Sequence, residues 1–115
     1  EEVQLAIADL FDADGDFGAA LAEYKELPAR YPRSELAARA SFQAGWCASR
    51  LQRFPDALTL FQQAFALASH SEHPAASAEL AAQALFKVAD VQVEVGALAD
   101  AVGSYQRLIS SYPNS

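Results

Sequence analysis

Gly15-Asp16-Phe17-Gly18-Ala19-Ala20-Leu21 returns 81 residues later as Gly96-Ala97-Leu98-Ala99-Asp100-Ala101-Val102. Continuing from each stretch, Tyr24 matches Tyr105, Leu27 matches Leu108, and Tyr31-Pro32-Arg33-Ser34 matches Tyr112-Pro113-Asn114-Ser115. A third copy lies between them: Arg53-Phe54-Pro55-Asp56-Ala57-Leu58 aligns with the first at an offset of 37, setting Ala57 under Ala20 and Phe61 under Tyr24. Three units follow, 1–34, 38–71 and 82–115, each of 34 residues, with three and ten residues between them. Self-similarity at such a period marks a stack of small structural units, none of which can bury its apolar face alone.

Each unit is expected to be two antiparallel helices. In the first, Val3, Ile7, Leu10 and Phe11 recur at helical spacing and predict one buried stripe. Gly15 permits a tight turn, after which Ala20, Leu21, Tyr24 and Leu27 face back toward that stripe. Pro28 is expected to end or kink the second helix near Leu27. Pro55 falls in a first helical turn, where its missing N–H is not needed. The successive offsets of 37 and 44 differ by seven residues, about two helical turns. The third hairpin is therefore expected to be longer with its buried faces in phase, Pro74 opening its first helix after a loop at 70–73. The last hairpin should leave apolar surface open at Val102, Leu108 and Ile109, because no polar closing helix follows it.

Composition narrows the function. Net charge is −7, from 15 acidic and 8 basic residues, and an anionic surface repels phosphate backbones, so nucleic acid is not an expected partner. No apolar run approaches the roughly 20 residues of a membrane span. The charge is uneven: residues 1–34 carry eight acids and three bases, while residues 38–71 carry one acid and three bases. The middle unit alone is locally cationic. A single cysteine, Cys47, excludes an internal disulfide framework and a thiolate metal cage, and its default role is that of a small buried residue. The chain has no initiator Met, and Glu1-Glu2-Val3 already reads as helix, so a piece of a longer protein is expected, with the compartment left open.

The period and the residues at its key positions resemble the tetratricopeptide repeat. That family places a small residue at the eighth position of each unit, here Ala8, Gly45 and Ala89, and alanine at the twentieth, here Ala20, Ala57 and Ala101. It favours an aromatic at the twenty-fourth, here Tyr24, Phe61 and Tyr105, and proline at the thirty-second, here Pro32 and Pro113, with Ser69 in the second unit. The bulky fourth and eleventh positions depart from the pattern, holding Gln4 and Phe11, Ser41 and Ala48, then Leu85 and Gln92. The resemblance implies an all-α, right-handed α-solenoid of three antiparallel helix hairpins, six helices in all. It also implies a scaffold for protein or peptide partners without enzymatic activity or cofactor. The tyrosine-proline-x-serine ending is similar to repeats common in bacterial cell-envelope assembly proteins, which leaves envelope, periplasm and cytoplasm all open.

The same resemblance implies a ligand groove lined by the first helix of each hairpin. Carried onto the second unit, its positions are Arg39, Phe42, Trp46, Ser49 and Arg50, of which four share one helix face by their spacing. The flanking positions are Leu5, Asp9 and Asp12 in the first unit and Phe86, Asp90 and Val93 in the third. Tryptophan and arginine are enriched at binding hot spots. Trp46 between two arginines is therefore the leading site, with packing between hairpins as its alternative role. The family's carboxylate-clamping members use Lys, Asn and Arg where this chain has Leu5, Asp9, Phe42 and Trp46, so chaperone C-terminal tails are not expected ligands.

Other motifs have weaker chemistry. Asp12, Asp14, Asp16 and Glu23 match the oxygen positions of a calcium loop, but Phe17 stands where that loop needs glycine, leaving calcium a remote alternative. His70, Glu72 and His73 sit in the expected loop and read as a solvated connector. No phosphate loop and no nucleophile–base pairing is present. End-to-end stacking with further repeats or with copies of itself is the second functional reading.

Overall fold

A computed structural model describes residues 1–113. Six helices follow one another: α1 Glu2–Ala13, α2 Phe17–Arg30, α3 Leu36–Arg50, α4 Phe54–Ser69, α5 Pro74–Glu94 and α6 Leu98–Ser111. There is no strand among the described residues. Each helix packs on the next, so the six form three hairpins stacked in chain order, a helical solenoid. The backbones of α1 and α3, and of α3 and α5, approach one another, while those of α2, α4 and α6 stand farther apart. The first helices therefore line the tighter, inner side of the stack. The Asn114-Ser115 end of the third unit lies outside the described residues.

The hairpin turns are built alike. The N–H groups of Asp16, Arg53 and Ala97 donate to the carbonyls of Phe11, Ala48 and Gln92, five residues back, at 2.9, 2.8 and 2.8 Å. This six-to-one bond closes a Schellman ending, which places the residue before it in the left-handed region. Gly15 and Gly96 occupy that position with φ of +82° and +81°. The middle turn has Gln52 at φ 59° instead. Left-handed backbone costs a residue with a Cβ about 1 to 2 kcal/mol, against the roughly 0.5 to 1 kcal/mol of extra chain entropy that glycine gives up. Gln52 is exposed and has no packing to lose. Gln52→Gly is thus expected to raise stability by about 0.5 to 1 kcal/mol, read as a melting temperature higher by roughly 3 °C. A lower melting temperature would contradict the strain at this turn.

The three alanines at the closest approach of each hairpin are in like surroundings: Ala20, Ala57 and Ala101 are 0, 0 and 2% exposed. Beside them the core is filled by Leu5, Ala8, Leu21, Tyr24, Leu27, Phe61, Val88 and Val91. Such interfaces, alanine against a large side chain, let helices approach closely without voids.

Two expectations need correction. The buried face of α1 is Leu5 and Ala8, with Phe11 half-buried, whereas Val3, Ile7 and Leu10 are exposed. Helical spacing revealed an apolar stripe, but α2 covers a different face of α1. Pro28 does not stop α2, which runs on to Arg30 with Pro28 buried inside it. The proline ring forfeits one hydrogen bond near the helix end, and the terminal bond from the Tyr31 N–H to the Leu27 carbonyl is kept at 2.8 Å. At the other end of the stack Val102 and Ile109 are exposed and Leu108 is partly so, as expected, with Leu108 turning into the inner side. Two fourth- and eleventh-position departures are polar and buried. Gln92 is satisfied by the Ser104 hydroxyl, which donates to its Oε1 at 2.6 Å, whereas the buried Ser41 hydroxyl has no hydrogen-bond partner among the described residues.

The two extra turns appear in α5, 21 residues long against 15 in α3. It opens at Pro74 after a connector at 70–73. There His73 reaches back, its Nε2 3.1 Å from the Glu35 carboxylate ahead of α3.

Candidate partner-binding groove

On the inner side, α3 and α5 bring Phe42, Trp46, Phe86 and Lys87 together around an open depression of about 450 Å³, floored by Ala82 and closed by Leu108. A second depression of about 470 Å³ adjoins it, lined by Ser49, Asp90, Val93 and Tyr105. Trp46 and Lys87 stand in both walls and divide one from the other.

The positions of these side chains follow from the small residues beneath them. Gly45 on α3 lets the Phe61 ring of α4 lie flat against the helix backbone. Phe42 then meets Phe61 edge to face with ring centres 5.5 Å apart, which is a favoured aromatic geometry. On α5, Phe86 and Tyr105 make the equivalent pair at 6.0 Å. Each groove aromatic is therefore held by one partner on the second helix of its own hairpin, with the remaining surface turned outward.

Trp46 is half-buried and carries a cation on its ring. The Lys87 ammonium lies 3.9 Å from the ring centre. The Arg50 guanidinium lies 5.8 Å from it and 5.1 Å from the Phe17 ring of α2. All three distances fall within cation–π range. Lys87 is also 3.8 Å from the Asp90 carboxylate. The two readings of Trp46 are not exclusive in this geometry, because it packs on the core with one part and lines both depressions with another.

The other candidate positions divide. Arg39 is exposed on α3, and Ser49 is half-buried in the second depression. Leu5 is buried in the core and is withdrawn from the surface set. Asp9 accepts a short hydrogen bond from the Tyr24 hydroxyl, and Asp90 accepts from the Tyr105 hydroxyl at 2.8 Å. Burial first, then the bond to Asp9 and its negative charge, hold the Tyr24 phenol well above its ordinary range. The hydrogen bond to Asp90 does the same for Tyr105. Both aspartates thus tie the two helices of a hairpin together.

This pairing escaped the sequence reading although a signal was present. Where the twenty-fourth position is tyrosine the ninth is aspartate, and where it is Phe61 the ninth is Trp46. A phenol needs an acceptor and a phenyl ring does not, so the exchange frees the ninth position of α3 for an apolar side chain. Lys87 was missed as well, since no regular spacing connects α3 to α5.

The acidic stretch does not gather into a cage. The Asp16 side chain accepts from the Ala19 N–H at 3.2 Å and caps α2, and Glu23 is carried away along that helix. Among the described residues no group of three or more His, Cys, Asp or Glu side chains is placed to hold a metal ion. Among the described residues, too, no helix is long and apolar enough to cross a membrane.

Comparison with known families gives two matches, each to a model described as the tetratricopeptide repeat, over residues 5–72 and 83–115. A search of curated proteins finds no match.

Proposed function

Since the chain belongs to the tetratricopeptide repeat family, whose repeats mediate protein–protein interaction and scaffolding, we propose that it is a non-catalytic scaffold receiving a segment of a partner protein between α3 and α5. The units 1–34, 38–71 and 82–115 are the register of this reading. Phe42, Trp46 and Phe86 supply the apolar contact, while Arg39, Arg50 and Lys87 supply positive charge around it. Asp9, Asp90 and Ser49 border the groove, the two aspartates chiefly as braces.

The observation that carries this reading is the half-buried Trp46 in the wall shared by two adjoining depressions. A large aromatic already fixed by Lys87 and by the core loses little freedom when a ligand covers it, so its contact area converts efficiently into affinity. A ligand with one aliphatic or aromatic anchor fits these walls, whose charge is mixed, with Lys87 beside Glu79, Asp90 and Glu94.

The test is selection of binders from a random peptide display library on the intact chain, followed by titration of each peptide. Trp46 is the chain's single tryptophan, so its fluorescence reports occupancy directly. Trp46→Ala, titrated by calorimetry because it lacks the reporter, and Phe86→Ala, each verified as folded by circular dichroism, are expected to weaken binding at least about tenfold, the effect of one anchor contact. Peptides binding both variants as tightly as the parent would refute the groove.

A further inference from the structure

Each end of the solenoid exposes an apolar stripe. The hydrogen-bonded turns repeat at offsets of 37 and 81, which allows each helix position to be compared with its equivalents. On α1, Val3, Ile7 and Leu10 are exposed at 73, 41 and 71%. Their equivalents on α3 are Ala40, Ala44 and Cys47, and on α5 Ala84, Val88 and Val91, every one of them buried. These are first-helix positions covered by the preceding hairpin.

At the opposite end, Leu98, Val102 and Ile109 on α6 are exposed at 61, 54 and 70%. Their equivalents on α2 are Phe17, Leu21 and Pro28, and on α4 Phe54, Leu58 and Phe65, all buried or half-buried. These are second-helix positions covered by the following hairpin. Among the described residues Glu1 shares the pattern, exposed where its equivalents Ala38 and Ala82 are buried, so a carboxylate borders the α1 stripe.

Size is matched as well as register. Inside the stack, small residues on the first helix face large ones on the second: Ala40, Ala44 and Cys47 meet the hairpin carrying Phe17, Leu21 and Leu27. At the ends the balance is reversed. The α1 stripe is larger than its internal equivalents, with leucine, isoleucine and valine in place of alanine, cysteine and valine. The α6 stripe is slimmer at two of its three positions, with Leu98 in place of phenylalanine and Val102 in place of leucine, while Ile109 stands where the other hairpins have Pro28 and Phe65; it is flanked by Ala99 and Gly103. A core interface needs total volume conserved across it more than volume on either side.

We propose that the occupant of each end is a second copy of this chain, the α6 stripe of one molecule seating on the α1 stripe of the next and continuing the internal stacking. The contact joins two different surfaces, so it is heterologous and does not close on itself as a two-fold dimer would. It is independent of the groove, whose residues lie on the inner side.

Sedimentation velocity of the intact chain from micromolar to millimolar concentration tests this. The expected result is a weight-average mass that climbs with concentration through dimer and longer species. Leu10→Glu and Ile109→Glu are each expected to be monomeric alone, because each leaves only one usable half. Mixed in equal amounts they are expected to form a one-to-one dimer and nothing larger, since the intact α6 stripe of the first meets the intact α1 stripe of the second. Val3→Glu and Val102→Glu serve in place of any variant whose circular dichroism departs from the parent. A monomer throughout the range overturns the proposal, as would be found if these faces are reserved for flanking repeats of a longer chain. A dimer abolished by one substitution but not the other also overturns it, as does a mixture that stays monomeric.

Discussion

Gly45→Ala is expected to lower the stability of this chain by about 2 kcal/mol, against the helix-propensity gain of about 1 kcal/mol that the same change brings at an open helical site. A Cβ at that position would stand 2.7 Å from two ring atoms of Phe61 and 2.9 Å from a third. Phe61 is buried and meets Phe42 edge to face, so the ring can yield only toward the second depression, whose wall it joins. Forcing a methyl group into a packed core costs about 1 to 3 kcal/mol, and the rigidity of the ring puts this site at or above the top of that range. Differential scanning calorimetry should show a melting temperature lower by roughly 5 to 10 °C.

A second substitution isolates the cause. Phe61→Leu alone removes ring volume and is destabilising. Combined with Gly45→Ala it makes room for the new methyl group, so the pair should be less destabilised than the sum of the two, by about 1 kcal/mol or more. Additive losses, or an alanine variant as stable as the parent, would show that the Phe61 ring does not lie on α3. Because Phe42 and Trp46 project from the same helix, this packing also decides where the groove stands.

The second large effect is a loss of stability in alkali. Cys47 is buried on α3, and burial together with the nearby Asp12 charge pushes its thiol up to about 11 from an ordinary value of 9.0, with Arg50 pulling weakly the other way. The unfolded chain releases this proton near pH 9 and the folded chain holds it to about pH 11, so the folded state binds more protons across that window. Stability from the neutral thiol is therefore complete below pH 9 and is lost as pH rises through about 11. Two pH units correspond to about 2 to 3 kcal/mol. The phenols of Tyr24 and Tyr105 are raised too, which extends the decline upward in the same direction.

Urea unfolding from pH 7 to 11 measures this directly. The parent should lose stability steadily above pH 9, and Cys47→Ala should hold level until tyrosine ionisation begins. Equal slopes in parent and variant would mean that the thiol is open to solvent. The same burial makes Cys47 slow to react with a thiol reagent in the native protein, at a rate set by unfolding and not by the reagent.

How much of this was legible beforehand differs from residue to residue. Ala20, Ala57 and Ala101 declare their equivalence in sequence because only a small side chain fits where two helices come closest, and all three are buried. The turns are as plain, since left-handed backbone selects glycine at positions 15 and 96. The face of α1 that is buried was not legible. Val3, Ile7 and Leu10 satisfy the helical period as well as any core stripe, yet α2 covers Leu5 and Ala8. Periodicity reports that a face avoids water and is silent on whether the covering helix lies in the same chain. Asp9 shows a similar limit: its place in the family register suggested a ligand contact, while the neighbouring hydroxyl of Tyr24 makes it a brace.

By itself, then, the sequence determined the helical hairpins, their number, their turns and the small-residue contacts within them, because these depend on steric rules acting over a few residues and repeated at one spacing. Only the tertiary structure decided which apolar stripes are covered, that Lys87 of α5 rests on Trp46 of α3, and that Val3 and Leu10 of α1 and Leu98 and Ile109 of α6 are exposed. Those outcomes depend on how successive hairpins are placed in space, and the relative placement of two packed surfaces is a property of neither surface alone.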